Sequence, residues 1–180
     1  MIGRPTKRSG WVRATVLAVA LAGCGHSGTH PRSADPSPTT IATTTTLSPA
    51  NAAIVGAWRH YWDVYIAVGE QMHLPDPRLA QVATGEELRT LGGAFLADES
   101  EGHVLKGSID LNPKVVGLED ASATVSDCYF SHILVYDQAT GQATGPGSSN
   151  RTLVAATLTL DSGVWKVAAI RHEGDGCSAP

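Results

Sequence analysis

The chain has 180 residues, of which 42% are hydrophobic, 6% aromatic and 17% charged, with 19 glycines and 10 prolines. This length suits one ordinary domain with tails, and the near-average apolar fraction excludes collagen-like, coiled-coil and wholly disordered chains. Four of the 13 bases lie in residues 1–23, so loss of that segment would leave nine bases against 17 acids and a formal charge of −8. Such an acidic body argues against nucleic acid or an anionic lipid surface as the main partner.

The first 23 residues have the three parts of a secretory signal: a basic stretch, an apolar run from Ala14 to Ala22, and a small residue before Cys24. The run is too short to cross a hydrocarbon core, which takes about 20 residues as a helix. Its end, Leu-Ala-Gly-Cys, resembles the lipobox of bacterial lipoproteins. The resemblance implies cleavage before Cys24, a diacylglycerol on its thiol, and anchoring to the cell membrane facing outside the cytoplasm. An ordinary secretory signal with a chance cysteine is the alternative.

Residues 24–50 predict a disordered tether. From position 25 onward, Ser, Thr and Pro fill 15 of the 26 positions. Such a composition cannot bury enough apolar surface to offset the entropy of ordering. Fully extended at ~3.1 Å per residue, the segment would reach about 80 Å, enough to hold a domain clear of a bilayer.

Residues 51–180 form the predicted folded domain, which begins with helices. Aromatic and apolar residues recur at three- and four-residue steps from Asn51 to Gly69, and two prolines at 75 and 77 end this pattern. Asp76 is predicted to cap a short helix over 77–83. The sequence Thr84-Gly85-Glu86-Glu87 has the form of a capping box that opens a helix to about Asp98. The predicted apolar face of this helix consists of Leu88, Leu91, Phe95 and Leu96.

After Gly102 the apolar period changes to two, which predicts strands. Their expected bounds are Val104–Leu111, Lys114–Glu119, Ala121–Asp137, Arg151–Asp161 and Val164–Glu173. The tripeptide Asp161-Ser162-Gly163 predicts a tight hairpin turn. Helices followed by antiparallel strands predict an α+β fold, with the helices packed on one face of a curved antiparallel sheet.

This order of elements resembles the NTF2-like (SnoaL-like) cone, and more narrowly the lipid-anchored, Thr/Pro-tethered NTF2-like proteins of actinobacteria. The resemblance rests on the aromatic first helix (57–62), the helix that opens at Thr84, the long strand through Cys128 and the terminal strand Val164–Val167. It implies a cavity between helices and sheet, and it allows a homodimer through the open sheet face. A cystatin-like fold, with one helix before its strands, is the alternative. The expected ligand pocket consists of Trp58, Trp62, Tyr65, Phe95 and His132.

Cone-pocket enzymes of this family place an acid/base pair, Asp with Tyr or His, inside the cone. The catalytic candidates here are Asp63, Tyr65 and His132, with Tyr61 and Tyr136 beside them. Asp63 lies one step off the aromatic stripe and is expected to face solvent, while the two helix tyrosines are expected to reach the rim. His132 is expected to be either a buried, hydrogen-bonded histidine or a pocket group.

Metal and cofactor sites are not expected. None of the seven histidines belongs to an H-x-H or H-E-x-x-H arrangement, and no C-x-x-C is present.

With Cys24 lipidated, Cys128 and Cys177 remain as an even pair in an oxidising compartment. This predicts a disulfide between them, and two free buried thiols are the alternative.

The expected function is therefore that of a lipid-anchored extracytoplasmic envelope protein without catalytic activity. Its domain would bind a partner protein or a small apolar ligand, and not nucleic acid. The alternative is a cone-pocket enzyme of the isomerase or cyclase type using an Asp/Tyr/His set. A third hypothesis is that the protein is an accessory lipoprotein of a transport or cell-wall complex.

Overall fold

Helix α1 (Pro49–Gln71) is the longest element of residues 47–178, the part of the chain that the computed structural model describes. It begins two residues before the expected start, because the Ser48 hydroxyl accepts a hydrogen bond from the Asn51 N–H at 3.2 Å. It ends at Met72, which adopts a left-handed conformation with φ of 42°. The predictions for Cys24, the signal and residues 24–46 of the tether fall outside the described residues.

Two further helices precede the strands: α2 (Leu79–Val82) and α3 (Gly85–Ser100). The predicted capping box is wrong. Thr84 does occupy the N-cap position of α3, but its side chain makes no capping bond. Its backbone N–H donates to the Val167 carbonyl at 2.8 Å, and Glu87 points into the core instead of back towards Thr84.

Seven strands follow, and five of them form the main antiparallel sheet. In this sheet β2 and β3 pair with successive parts of one edge of β4, and β6 and β7 follow on its other side. Strands β1 and β5 form a separate two-stranded sheet. The bounds are β1 His103–Lys106, β2 Ile109–Asp110, β3 Pro113–Glu119, β4 Ser122–Ser131, β5 Leu134–Asp137, β6 Thr152–Asp161 and β7 Val164–Asp175.

Two of the predicted strands are each broken into two, and the breaks face each other. Gly107, with φ of 140°, separates β1 from β2, and His132 separates β4 from β5. A Cβ atom on Gly107 would lie 2.3 Å from the His132 carbonyl oxygen, so only glycine fits at this crossing. The His132 N–H also donates to the Ser108 carbonyl at 2.9 Å. This crossing turns β1 and β5 out of the main sheet.

The helices pack on one face of the sheet, which confirms the predicted α+β fold class. Along β4, the residues Ala123, Val125 and Asp127 alternate inward and are at most 1% exposed. Helix α1 lies against β1, β3 and β7, and α3 lies against β7 and β1. Bulges in β3 and in the β6–β7 pairing bend the sheet. Three helices, one of them only four residues long, precede the strands, which is the order expected of the NTF2-like cone.

The expected disulfide joins Cys128 to Cys177, with Cα atoms 6.0 Å apart. Cys128 lies between the inward-facing Asp127 and Tyr129, so it belongs to the opposite, outer face of β4. The bond therefore fixes the chain after β7 against the outer face of the sheet.

The predicted hairpin turn between β6 and β7 is also present, with positive φ at both Ser162 and Gly163.

Candidate functional site

An aromatic cluster fills the space between α1, α3 and β4. Rings from α1 contact one another and then the neighbouring elements: the Trp58 and Trp62 centroids are 5.6 Å apart, and Trp62 lies 5.3 Å from Tyr129 of β4. Tyr65 lies 5.1 Å from Phe95 of α3. Such stacked and edge-on pairs stabilise a core beyond the area they bury. The members of the cluster are Trp58, Tyr61, Trp62, Tyr65, Phe95 and Tyr129.

A buried aspartate joins this cluster to the sheet. The Trp58 indole N–H donates to Asp127 Oδ2 at 2.7 Å, and the Asn112 backbone N–H donates to Asp127 Oδ1 at 2.8 Å. Burial raises the pKa of Asp127, while these two hydrogen bonds and the charges of Arg59 and Arg151 act in the opposite direction. Both carboxylate oxygens are thus occupied within the fold.

A buried glutamate joins the cluster to α3. The Tyr61 hydroxyl donates to Glu87 Oε1 at 2.5 Å, and both residues are buried. Burial raises the pKa of Glu87, with the Tyr61 bond opposing the shift, and burial together with the Glu87 charge raises the pKa of Tyr61. Tyr61 therefore does not reach the rim as predicted. It connects two helices inside the core.

The cluster leaves one face open, and here an aromatic cleft of about 280 Å³ opens to solvent. Trp62 and Tyr65 of α1 and Tyr129 of β4 supply aromatic surface, and Ser148 and Thr152 supply hydroxyls. Burial raises the pKa of Tyr65 to about 12 and also raises that of Tyr129. Both phenols are therefore neutral near pH 7. The remaining lining is mainly aliphatic, from Leu105, Ile133 and Val135, with Ser131.

The five expected pocket residues separate into three groups. Trp62 and Tyr65 line the aromatic cleft as expected. Trp58 and Phe95 are at most 1% exposed and belong to the solid core instead. His132 does not join them, because it lies on the outer face with Phe130, whose ring centroid is 4.7 Å from its own, whereas Tyr129, Ser131 and Ile133 face the cleft. Its side chain is 47% exposed, and its Nε2 lies 3.0 Å from Asp110 Oδ2.

The candidate catalytic residues do not come together. Asp63 is exposed on α1, as expected, in a polar cleft with Arg59 and Ser108. Tyr65 is in the aromatic cleft, and His132 is paired with Asp110 outside it. The buried acids that the structure does contain, Glu87 and Asp127, line neither the aromatic cleft nor the polar one. Within residues 47–178, no three His, Cys, Asp or Glu side chains are grouped to hold a metal ion.

The two core acids, Glu87 and Asp127, both carry a sequence signal of burial. Glu87 precedes Leu91 and Phe95 at four-residue steps, so it lies on the buried stripe of α3. Asp127 follows Ala123 and Val125 at two-residue steps, so it lies on the inward face of β4. An acid on an apolar stripe indicates a buried hydrogen-bonded carboxylate. The capping box was the competing interpretation of Glu87.

Glu87→Gln is expected to flatten the pH dependence of stability. Since burial raises the pKa of Glu87, the folded protein binds a proton between the ordinary pKa of about 4.3 and the raised one. The free energy of unfolding of the wild type therefore rises as pH falls through this window. Glutamine keeps an acceptor for Tyr61 and carries no charge, so the variant loses this rise and is at least as stable at pH 7.

Chemical denaturation at a series of pH values measures this effect. Glu86→Gln is the matched control, because Glu86 is the exposed neighbour of Glu87. Its curve is expected to keep most of the wild-type rise, because burial is the main cause of the raised pKa of Glu87 and the Glu86 charge adds only a minor part. A Glu87→Gln curve parallel to the wild type would show that the Glu87 carboxyl does not titrate differently on folding.

Comparison with known proteins shows the fold alone. Neither a protein-family model nor a curated protein matches the chain. It is similar to the intermembrane space region of the chloroplast protein ARC6, with 11% identity and a TM-score of 0.52 over 65% of this chain and 91% of that one. Two Nostoc punctiforme structures of unknown function with a cystatin-like fold match at 13% identity. Their TM-scores are 0.39 and 0.40, over 67% and 70% of this chain and 87% and 78% of theirs.

Among residues 47–178, no helix has the length and apolarity needed to cross a membrane.

Proposed function

We propose that this protein is a non-catalytic, lipid-anchored extracytoplasmic protein whose NTF2-like domain binds a small apolar ligand or a partner protein. The anchor is proposed on Cys24, from the Leu-Ala-Gly-Cys sequence that ends the apolar run. A disulfide between the other two cysteines supports an oxidising compartment outside the cytoplasm. Two acyl chains would hold the protein stably at the membrane.

The aromatic cleft is the observation that carries the binding function. Its volume of about 280 Å³ is near the lower end of small-molecule pockets, which begin at about 300 Å³. The lining combines three aromatic rings and several aliphatic side chains with a comparable share of polar surface, which favours a small, uncharged and partly apolar ligand. The cluster behind the cleft is packed solid, so a ligand would lie at the mouth of the cone rather than deep inside it.

The absence of an assembled acid/base pair in this cleft supports binding over catalysis. General acid–base catalysis needs a titrating group within about 3 Å of the reacting atom. The phenols of Tyr65 and Tyr129 stay protonated near neutral pH, and no carboxylate lines the cleft. The alternative of a cone-pocket enzyme would need Asp63 or His132 in this place.

The experiment uses the acylated protein from membranes, placed in nanodiscs of neutral lipid and titrated with indole as a neutral apolar probe. We expect saturable changes in the methyl NMR signals of Leu105, Ile133 and Val135, which line the cleft. Ser148→Trp fills the cleft and is expected to weaken indole binding about tenfold or more. Ser149→Trp is the matched control, since Ser149 does not line this cleft.

Two outcomes would contradict the proposal. One is an equal indole response in the two tryptophan variants, which would show that the cleft is not the binding site. The other concerns the anchor: the mass of the extracted protein should include the lipid, and Cys24→Ser should lose it and leave the membrane fraction. A wild-type protein with an unmodified Cys24 would rule the anchor out.

A further inference from the structure

A second concave surface, here called the helical groove, lies between α3 and the segment 74–80. Leu88, Gly92 and Leu96 form one wall at four-residue steps along α3, and the other wall includes Leu74, Pro75 and Leu79. The groove has a volume of about 280 Å³ and a nearly continuous apolar lining. Leu96, expected from the sequence to be in the core, is 57% exposed here. The groove shares no residue with the aromatic cleft.

Gly92 gives this groove its depth, although the fold does not require a glycine there. Glycine is the poorest helix former after proline, and Gly92 lies in the interior of a 16-residue helix. A Cβ atom added at Gly92 would meet nothing within 4 Å, and its φ is not in the left-handed region. Any larger side chain at this position would therefore fill open groove space. The small residue leaves room for a side chain of another molecule to approach α3 closely.

The charge around the groove indicates what that occupant is. The segment from Glu70 to Glu101, which forms both walls, contains seven acids and only two bases. Arg78 and Asp76 neutralise each other, with an N–O distance of 2.6 Å, and Glu87 is buried against Tyr61, so five acids and one base, Arg89, remain in this segment. Glu99 lies at one end of the groove, where its Oε1 accepts the Leu74 N–H at 3.3 Å. An apolar groove surrounded by acidic residues favours a partner whose apolar surface is bordered by basic residues.

We propose that the helical groove docks a basic amphipathic helix of a partner protein. Leu88, Gly92 and Leu96 extend over about 12 Å of α3 at ~1.5 Å per residue, which suits apolar anchors spaced by one and two helical turns. A second copy of this domain is a poor occupant, because its own acidic surface would be repelled. An anionic lipid surface is disfavoured for the same reason. This inference rests on the proposed function, because it names the class of its protein partner.

The experiment measures binding of a dye-labelled synthetic helix to the acylated protein in neutral nanodiscs by fluorescence anisotropy. The probe has about 15 residues, with leucines at i, i+4 and i+8 and lysines on the other faces. A second probe carries glutamates in place of the lysines. We expect the lysine helix to bind, its affinity to fall as salt rises, and the glutamate helix to bind at least tenfold more weakly.

Gly92→Leu is expected to lower the affinity for the lysine helix at least tenfold, because the new side chain occupies the groove. It should fold well, since leucine is a better helix former than glycine. Gly93→Leu is the matched control: Gly93 is the exposed neighbour, also without atoms near its Cβ position, and it does not line the groove. Leu96→Ser, on the same wall as Gly92, should also weaken binding, because it removes an exposed apolar contact.

The proposal is overturned if Gly92→Leu and Gly93→Leu bind the lysine helix equally, or if the glutamate helix binds as well as the lysine helix. Concentration-dependent self-association abolished by Gly92→Leu would assign the groove to a second copy instead. Empty nanodiscs serve as the blank. Indole binding in the aromatic cleft should be unchanged in all groove variants, so failure of the groove proposal is distinguishable from failure of the proposed function.

Discussion

Reduction of the Cys128–Cys177 disulfide is expected to lower the free energy of unfolding by about 4 kcal/mol. The bond joins residues 49 positions apart, and in the chain-entropy description a closed loop of this size strongly restricts the unfolded chain. The expected loss is a large part of the total stability of an ordinary domain, which is about 5–15 kcal/mol. Denaturant unfolding with and without reductant measures it.

The double variant Cys128→Ala, Cys177→Ala is the control for this measurement. Its stability without reductant should match that of the reduced wild type, and adding reductant should not change it. A loss below about 1 kcal/mol in both would mean that the unfolded chain is already restricted without the bond. Two alkylatable thiols in the unreduced protein would contradict the disulfide itself.

Asp127→Ala is expected to lower the free energy of unfolding by about 3 kcal/mol. The change removes the acceptor of two donors, the Trp58 indole N–H and the Asn112 backbone N–H. Each buried donor left without a partner costs about 1–3 kcal/mol. The loss of the buried charge, whose pKa burial has raised, offsets only part of this cost. Asp127→Asn should lie between wild type and alanine, because one amide oxygen replaces two acceptors.

Asp110→Ala is the matched control, since Asp110 belongs to the adjacent strand β2 and its side chain is 60% exposed. Its effect is expected to stay within about 0.5 kcal/mol. Trp58→Phe removes one donor, so it should cost less in the Asp127→Ala background than in the wild type. Additive effects of the two changes would show that the Trp58–Asp127 bond contributes nothing to stability.

Periodicity was sufficient to predict the helices and the sheet in this chain. The aromatic stripe of α1 carries the helical period, and the inward residues of β4 carry the period of two, because each element has one buried face. The strand breaks at Gly107 and His132 were not predictable in this way. They depend on a crossing between two segments that are distant in sequence, where the backbone of one excludes a Cβ atom on the other.

The pocket was predictable only in part, because helical spacing shows which residues face inward but not how deeply they are covered. Trp58 and Trp62 share one stripe, yet Trp58 is enclosed by Asp127 and its neighbours, while Trp62 reaches the aromatic cleft. His132 has the same strand parity as Cys128 and Phe130, and this face is the outer one, so His132 points away from the cleft that Tyr129 and Ser131 line. The helical groove was not predicted, since Leu96 continues the apolar pattern of α3 and periodicity assigns it to the buried face, whereas it is 57% exposed in the structure.

Helix α1 has a mechanical consequence that follows from its two buried side-chain bonds. The chain enters the domain at Ser48, directly at the start of this helix. Trp58 bonds it to β4 and Tyr61 bonds it to α3, less than one turn apart. A force applied to the start of α1 would therefore be transmitted through both bonds. Such a load would be shared between the sheet and α3.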